Sequence, residues 1–164
     1  MRMNKNMIWL HLATLGPIGY LKMPGTLATL VTLLPVYYAK QYVTTSGYVW
    51  LVGLVLVLSA FIISRALAIV QRYDDPQYIV LDEFLGCFIT FCFVALSWKT
   101  MLLGFLLFRL FDITKIPPVR YAEVLQGSIG VMGDDIIAGL MANAALYAIN
   151  SYMLEPSLMM LGLW

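Results

Sequence analysis

Asp82 and Glu83 are adjacent acids at the head of an apolar run, preceded by Ile79-Val80-Leu81 and followed by Phe84-Leu85-Gly86. A charged side chain in the middle of a membrane helix costs ~2.5–3.5 kcal/mol on insertion scales, and such groups are functional by default. The plain alternative is a pair of acids capping a helix at an interface. A second set, Arg109, Asp112 and Lys115, is spaced by three and shares one helix face. Pro117 disfavours helix at Ile116, so that helix should end near Lys115. The face reads either as an i,i+3 ion pair with a C-terminal cation, or as a phosphate-binding set of forked Arg and point-charge Lys. The third set runs from Gln126 and Gly127 through Gly130 and Gly133 to Asp134-Asp135. Its glycines would let backbone N–H groups approach a phosphate, and its acids imply a cation. A flexible loop with Asp134 as N-cap is the competing reading. Lys22-Met23-Pro24-Gly25-Thr26 reads as a turn, with Thr26 as a helix cap.

Together these sets imply more than any one alone. Two carboxylates 4 Å apart repel by about 4 kcal/mol at an effective dielectric near 20, so several converging acids need a counter-cation. Oxygen ligands suit Mg²⁺, Mn²⁺ or Ca²⁺, with Mg²⁺ usual beside phosphate. Zinc is poorly supported, because His11 is the one histidine and neither Cys87 nor Cys92 lies in an acid set. His11 and the two cysteines read as packing or interfacial residues. The same scarcity argues against cysteine- or histidine-nucleophile phosphatases, and no Asp-x-Asp pair follows an apolar strand. Metal-assisted chemistry with carboxylates remains.

The elements that must position these residues are membrane helices. Of 164 residues, 62% are apolar and 12% charged, with a mean hydropathy of +0.85. Soluble domains average roughly 45–50% apolar and ~25% charged residues. Net charge is +1, which leaves no basic field for nucleic acid. Continuous apolar runs exclude the alternation of a barrel. Segments 48–64, 79–98 and 136–154 are expected to span, given a need for about 17–25 residues. Segments 26–39 and 100–111 are weaker, and 7–21 is broken by Gly16-Pro17 and Gly19. The expected fold is therefore a single all-α domain over residues 1–164: a compact polytopic bundle with short or re-entrant N-terminal helices. Arg65, Arg72, Arg109, Lys115 and Arg120 cluster after spans, which predicts a cytoplasmic face for them. Asp74, Asp75, Glu123 and the three acid sets would share that face, leaving Glu155 elsewhere.

At the same residues the chain resembles the phosphatidylglycerophosphatase A family, bacterial membrane phosphatases of glycerophospholipid synthesis. The family's Pro-Gly-Thr appears as Pro24-Gly25-Thr26, and its Asp-Glu motif as Asp82-Glu83-Phe84-Leu85-Gly86. Its Phe-Arg-x-x-Asp-x-x-Lys-x-x-Pro stretch appears as Phe108, Arg109, Asp112, Lys115 and Pro118. Its glycine-rich Asp-Asp motif appears as Gly127, Gly130-Val131-Met132, Asp134-Asp135 and Ala138-Gly139. Ile116 replaces a proline, Ala28 a glycine, and Glu123-Val124 an Asp-Arg pair. The resemblance implies Mg²⁺-dependent hydrolysis of phosphatidylglycerophosphate to phosphatidylglycerol at the cytoplasmic face of a bacterial inner membrane. It implies Asp82, Glu83, Asp134 and Asp135 around the metal, Asp112 as ligand or base, and Arg109 and Lys115 on the phosphate. Thr26, Gly127 and Gly130 would contribute from loops. Attack by water that the metal activates is the preferred route, and direct attack by an aspartate the competing one. The rival class is a small transporter or channel, which would string ionisable residues through the bilayer depth.

Overall fold

The structure, a computed structural model, describes residues 7–70, 76–122, 125 and 127–160, with side chains to residue 152. Arg72, Asp74, Asp75 and Glu123, expected at the cytoplasmic face, and the side chain of Glu155 lie outside the described residues. The described residues form helices and turns, as the composition predicts.

Helix α1 (Met7–Ala13) is short because the chain turns back at once. The Thr14 hydroxyl donates to the carbonyls of His11 and Gly16, at 3.2 and 2.9 Å. Gly16 takes φ +68°, a conformation glycine adopts without steric cost. A 3-10 turn (Ile18–Tyr20) leads to α2 (Pro24–Tyr42). Pro24-Gly25-Thr26 is thus the first turn of a helix rather than a loop, and Thr26 is inside it rather than capping it. Proline suits that position because the first helical N–H has no partner to lose.

Helix α3 (Thr45–Val70) and the Gly127–Tyr152 part of α7 (Gly127–Met160) are long and apolar enough to cross a membrane. Trp50, Leu54, Val57 and Phe61 of α3 face outward, where lipid rather than water suits them. Between these helices come α4 (Leu81–Thr90), α5 (Trp98–Thr114) and the single turn α6 (Val119–Ala122). A capping box of Ser97 and Thr100 starts α5.

The expectation of one continuous span over residues 79–98 is corrected: its helix stops at Thr90, after 10 residues. That is about 15 Å at 1.5 Å per residue, half the ~30 Å hydrocarbon core. Residues 91–97 continue without helix, and side chains from three other helices take up their carbonyls. Asn143 of α7 donates to Thr90 at 2.9 Å and also to Cys92. Lys40 of α2 reaches the Val94 carbonyl at 3.1 Å, and the Thr100 hydroxyl reaches Ala95 at 3.1 Å. Irregular backbone at membrane depth persists only where protein groups satisfy it in this way.

A second correction concerns the glycine run, which is helical rather than a loop. Helix α7 begins at Gly127 instead of near residue 136, so Asp134 and Asp135 sit about two turns inside it. Helix α4 is the centre of the bundle, packed against α2, α3, α5 and α7. It crosses α7 at a pair of glycines: a Cβ on Gly139 would lie 2.6 Å from the Gly86 carbonyl oxygen. Small residues permit such close backbone approach in membranes. That crossing brings the start of α4 beside the early turns of α7.

Candidate active site

Asp82 and Glu83 occupy the first turn of α4, where the positive end of the helix dipole favours acids. The Glu83 backbone N–H donates to an Asp82 oxygen at 3.1 Å. The Gly86–Gly139 crossing sets Asp135 of α7 against them. One carboxylate oxygen from each of Asp82, Glu83 and Asp135 lies within 4.8 Å of the others. Asp82 and Asp135 are only 3% and 4% exposed. Oε2 of Glu83 and Oδ1 of Asp135 are buried without a hydrogen-bond partner among the described residues. Buried carboxylates so close together repel, and orphaned acceptors are costly, so the group fits a hard divalent cation with oxygen ligands.

Asp134, predicted as a fourth ligand, is outside this trio. Its carboxylate is drawn toward Lys115 of α5 and does not join the Asp82, Glu83 and Asp135 oxygens. One of its oxygens accepts from Lys115 Nζ at 3.2 Å and the other from the Asp135 N–H at 3.0 Å. Lys115 ends α5 in a left-handed conformation, φ +45°, which turns the chain toward α6. Within the two preceding turns, Arg109 Nη1 donates to Asp112. The i,i+3 ion pair therefore forms, but inside the site rather than on a surface: both side chains are 14% exposed. The Nε of Arg109 has no partner among the described residues. Burial is the largest influence on Asp112 and pushes its carboxyl up to about 6. Arg109 opposes the rise, while Glu83 and Asp134 add to it.

These groups line one open cleft of about 350 Å³, together with Thr26, Gln77 and Ile79. Every predicted charged site residue is there. Gly127 and Gly130 are not among the cleft's lining residues; Gly130 is pressed against the Leu125 carbonyl, where a Cβ has no room. The sequence reading missed Gly25. A Cβ there would collide with Glu83 Oε1 and approach Arg109 Nη1 to 3.1 Å, so any side chain at this position displaces the Glu83 carboxylate. The Pro24-Gly25-Thr26 motif was the available signal. Cys87 is buried in α4, and that burial pushes its thiol up, consistent with packing rather than reactivity.

An all-α membrane protein with acids and bases gathered in one cleft is the class that fold and site define. Within that class, the chain belongs to the phosphatidylglycerophosphatase A family, whose model matches residues 11–150. A phosphatidylglycerophosphatase A of Haemophilus influenzae is 38% identical over 104 residues, 62% of this chain and 63% of that protein. One of Escherichia coli is 29% identical over 132 residues, 79% of this chain and 76% of that protein. A Bacteroides thetaiotaomicron protein, whose name proposes a phosphatidylinositol-3-phosphatase activity, is 39% identical over 70 residues, 41% of this chain and 44% of its own. The first relative is thus matched over slightly less than two thirds of its length. No solved structure matches the chain.

Proposed function

We propose that this protein hydrolyses phosphatidylglycerophosphate to phosphatidylglycerol and inorganic phosphate, with Mg²⁺, at the cytoplasmic face of a bacterial inner membrane. The observation that carries the reading is the meeting of two buried carboxylates, Asp82 and Asp135, and the half-buried Glu83 with Arg109 and Lys115 in a single cleft. Asp82, Glu83 and Asp135 would hold the ion. A bound divalent cation supplies charge neutralisation and polarises the phosphoryl oxygens. Arg109 and Lys115 bind the non-bridging oxygens of the phosphomonoester, and Asp134 keeps Lys115 aimed at them. Asp112, ionised above about pH 6, takes the proton of the water that attacks phosphorus. As the ester P–O bond breaks, that proton is available to the departing glycerol oxygen. Family membership supports the substrate, and the gathering of charge in one cleft supports an enzyme over a transporter.

The test is purified protein in detergent, given phosphatidylglycerophosphate or phosphatidylinositol 3-phosphate, with Mg²⁺ or with chelator, and assayed for free phosphate. Release from the first lipid that requires Mg²⁺ is expected. Preference for the inositol lipid would replace the substrate, and no release from either lipid with any divalent cation would sink the reading.

A further inference from the structure

Two of the residues lining the charged cleft are apolar and lie open: Met23, 69% exposed, just before α2, and Ile113, 65% exposed, on α5. An apolar rim is unexpected around a site for a doubly charged headgroup. Ile113 is also the end of a stripe. Leu102, Leu106, Leu110 and Ile113 are all exposed and are spaced by four, four and three, so they follow one face of α5. The opposite face, with Gly104 and Phe108, is buried. From Leu102 to Ile113 is eleven residues, about 16 Å at 1.5 Å per residue. That is close to half of the ~30 Å hydrocarbon core, the depth of one leaflet.

We propose that this α5 stripe is the acyl-chain track of the substrate, and that Met23 and Ile113 form the lateral mouth through which a phospholipid enters the cleft from its own leaflet. Continuity identifies the occupant: the stripe ends among Arg109, Asp112 and Lys115, which face the cleft. A molecule that fills both regions carries a phosphomonoester at one end and a chain about one leaflet long at the other. The track makes the enzyme select a membrane-anchored phosphomonoester over a soluble one of identical headgroup. The inference rests on the phosphatase reading and adds the means of lipid selection.

The experiment compares two substrates of the same headgroup, long-chain phosphatidylglycerophosphate and its dibutyryl analogue, in the same detergent with Mg²⁺. For the unaltered protein kcat/KM should favour the long chain by at least tenfold. Leu106→Asn with Leu110→Asn should cut that preference at least fivefold, mainly through KM. Ile113→Trp, which keeps the face apolar but obstructs the mouth, should cut it in the same sense, and it guards against misfolding of the polar variant. Equal use of both substrates by the unaltered protein, or equal losses on both in the variants, would overturn the track while leaving the phosphatase standing. Release of phosphate from neither substrate would remove both proposals.

Discussion

Asp135 lies beside Asp82 and Glu83 with one oxygen lacking a hydrogen-bond partner among the described residues, so its charge opposes folding until a cation arrives. Asp135→Asn should therefore act in opposite directions on stability and activity. In chelator the variant should melt higher than the parent, by about 2–4 °C for each 1 kcal/mol of repulsion relieved. With Mg²⁺ that order should reverse, and phosphate release should drop at least about a hundredfold. A variant that melts lower in both conditions would argue against a cation site. Asp112 supplies the pH dependence. Its carboxyl is pushed up to about 6, and a base must be ionised, so phosphate release should rise with pH through about 6 and level off above 7. A profile flat from pH 5 to 8 would take Asp112 out of that role. At this scale the sequence was informative: Asp82, Glu83, Arg109, Asp112, Lys115 and Asp135 were recognisable from type and spacing. The divergence of Asp134 was not, because a string of letters does not say which of two neighbouring helical acids faces the centre.

Helix α2 contributes to the site mainly through the absence of a side chain. Gly25→Ala would drive a methyl group into the Glu83 carboxylate, and should lose most metal-dependent phosphate release. Gly53→Ala is the control, since nothing lies within 4 Å of its added Cβ. It should keep full activity and gain up to about 1 kcal/mol in thermal or denaturant unfolding from improved helix propensity. Comparable losses in the two variants would make the Gly25 effect a general helix effect. The boundaries of α4 and α7 show where sequence reading runs out. Residues 91–97 contain neither proline nor glycine, and nothing local stops the helix. It stops where Asn143, Lys40 and Thr100 take its carbonyls, donors that are distant in sequence or bonded only after folding. Conversely, glycines 127, 130 and 133 look like a loop, yet close packing of Gly130 on Leu125 and Gly133 on Ala122 accompanies a helix.

On the scale of the molecule, the cleft and the Lys40–Val94 contact lie at opposite ends of α2. From Gly25 to Lys40 is fifteen residues, about 22 Å along the helix. Single cysteines placed at Thr44 and at Thr114, in a protein freed of Cys87 and Cys92, should therefore react with an impermeant thiol reagent from opposite sides of a sealed vesicle. Labelling from the same side would refute the orientation. The bundle's class and membrane residence were evident from composition, since so few charged residues cannot coat a soluble surface. The position of Asp134 and Asp135 inside α7 also bears on how the protein is made. A translocon meets α3 as twenty residues without a charge before Arg65, but meets α7 with two acids in its early turns. Fused singly to a reporter, α3 should insert efficiently and α7 poorly. Preceded by residues 1–122, α7 should recover, because the nascent α4 and α5 already offer Lys115 and the glycine seam. Biogenesis would then be ordered, with the last helix admitted by partners that arrived before it.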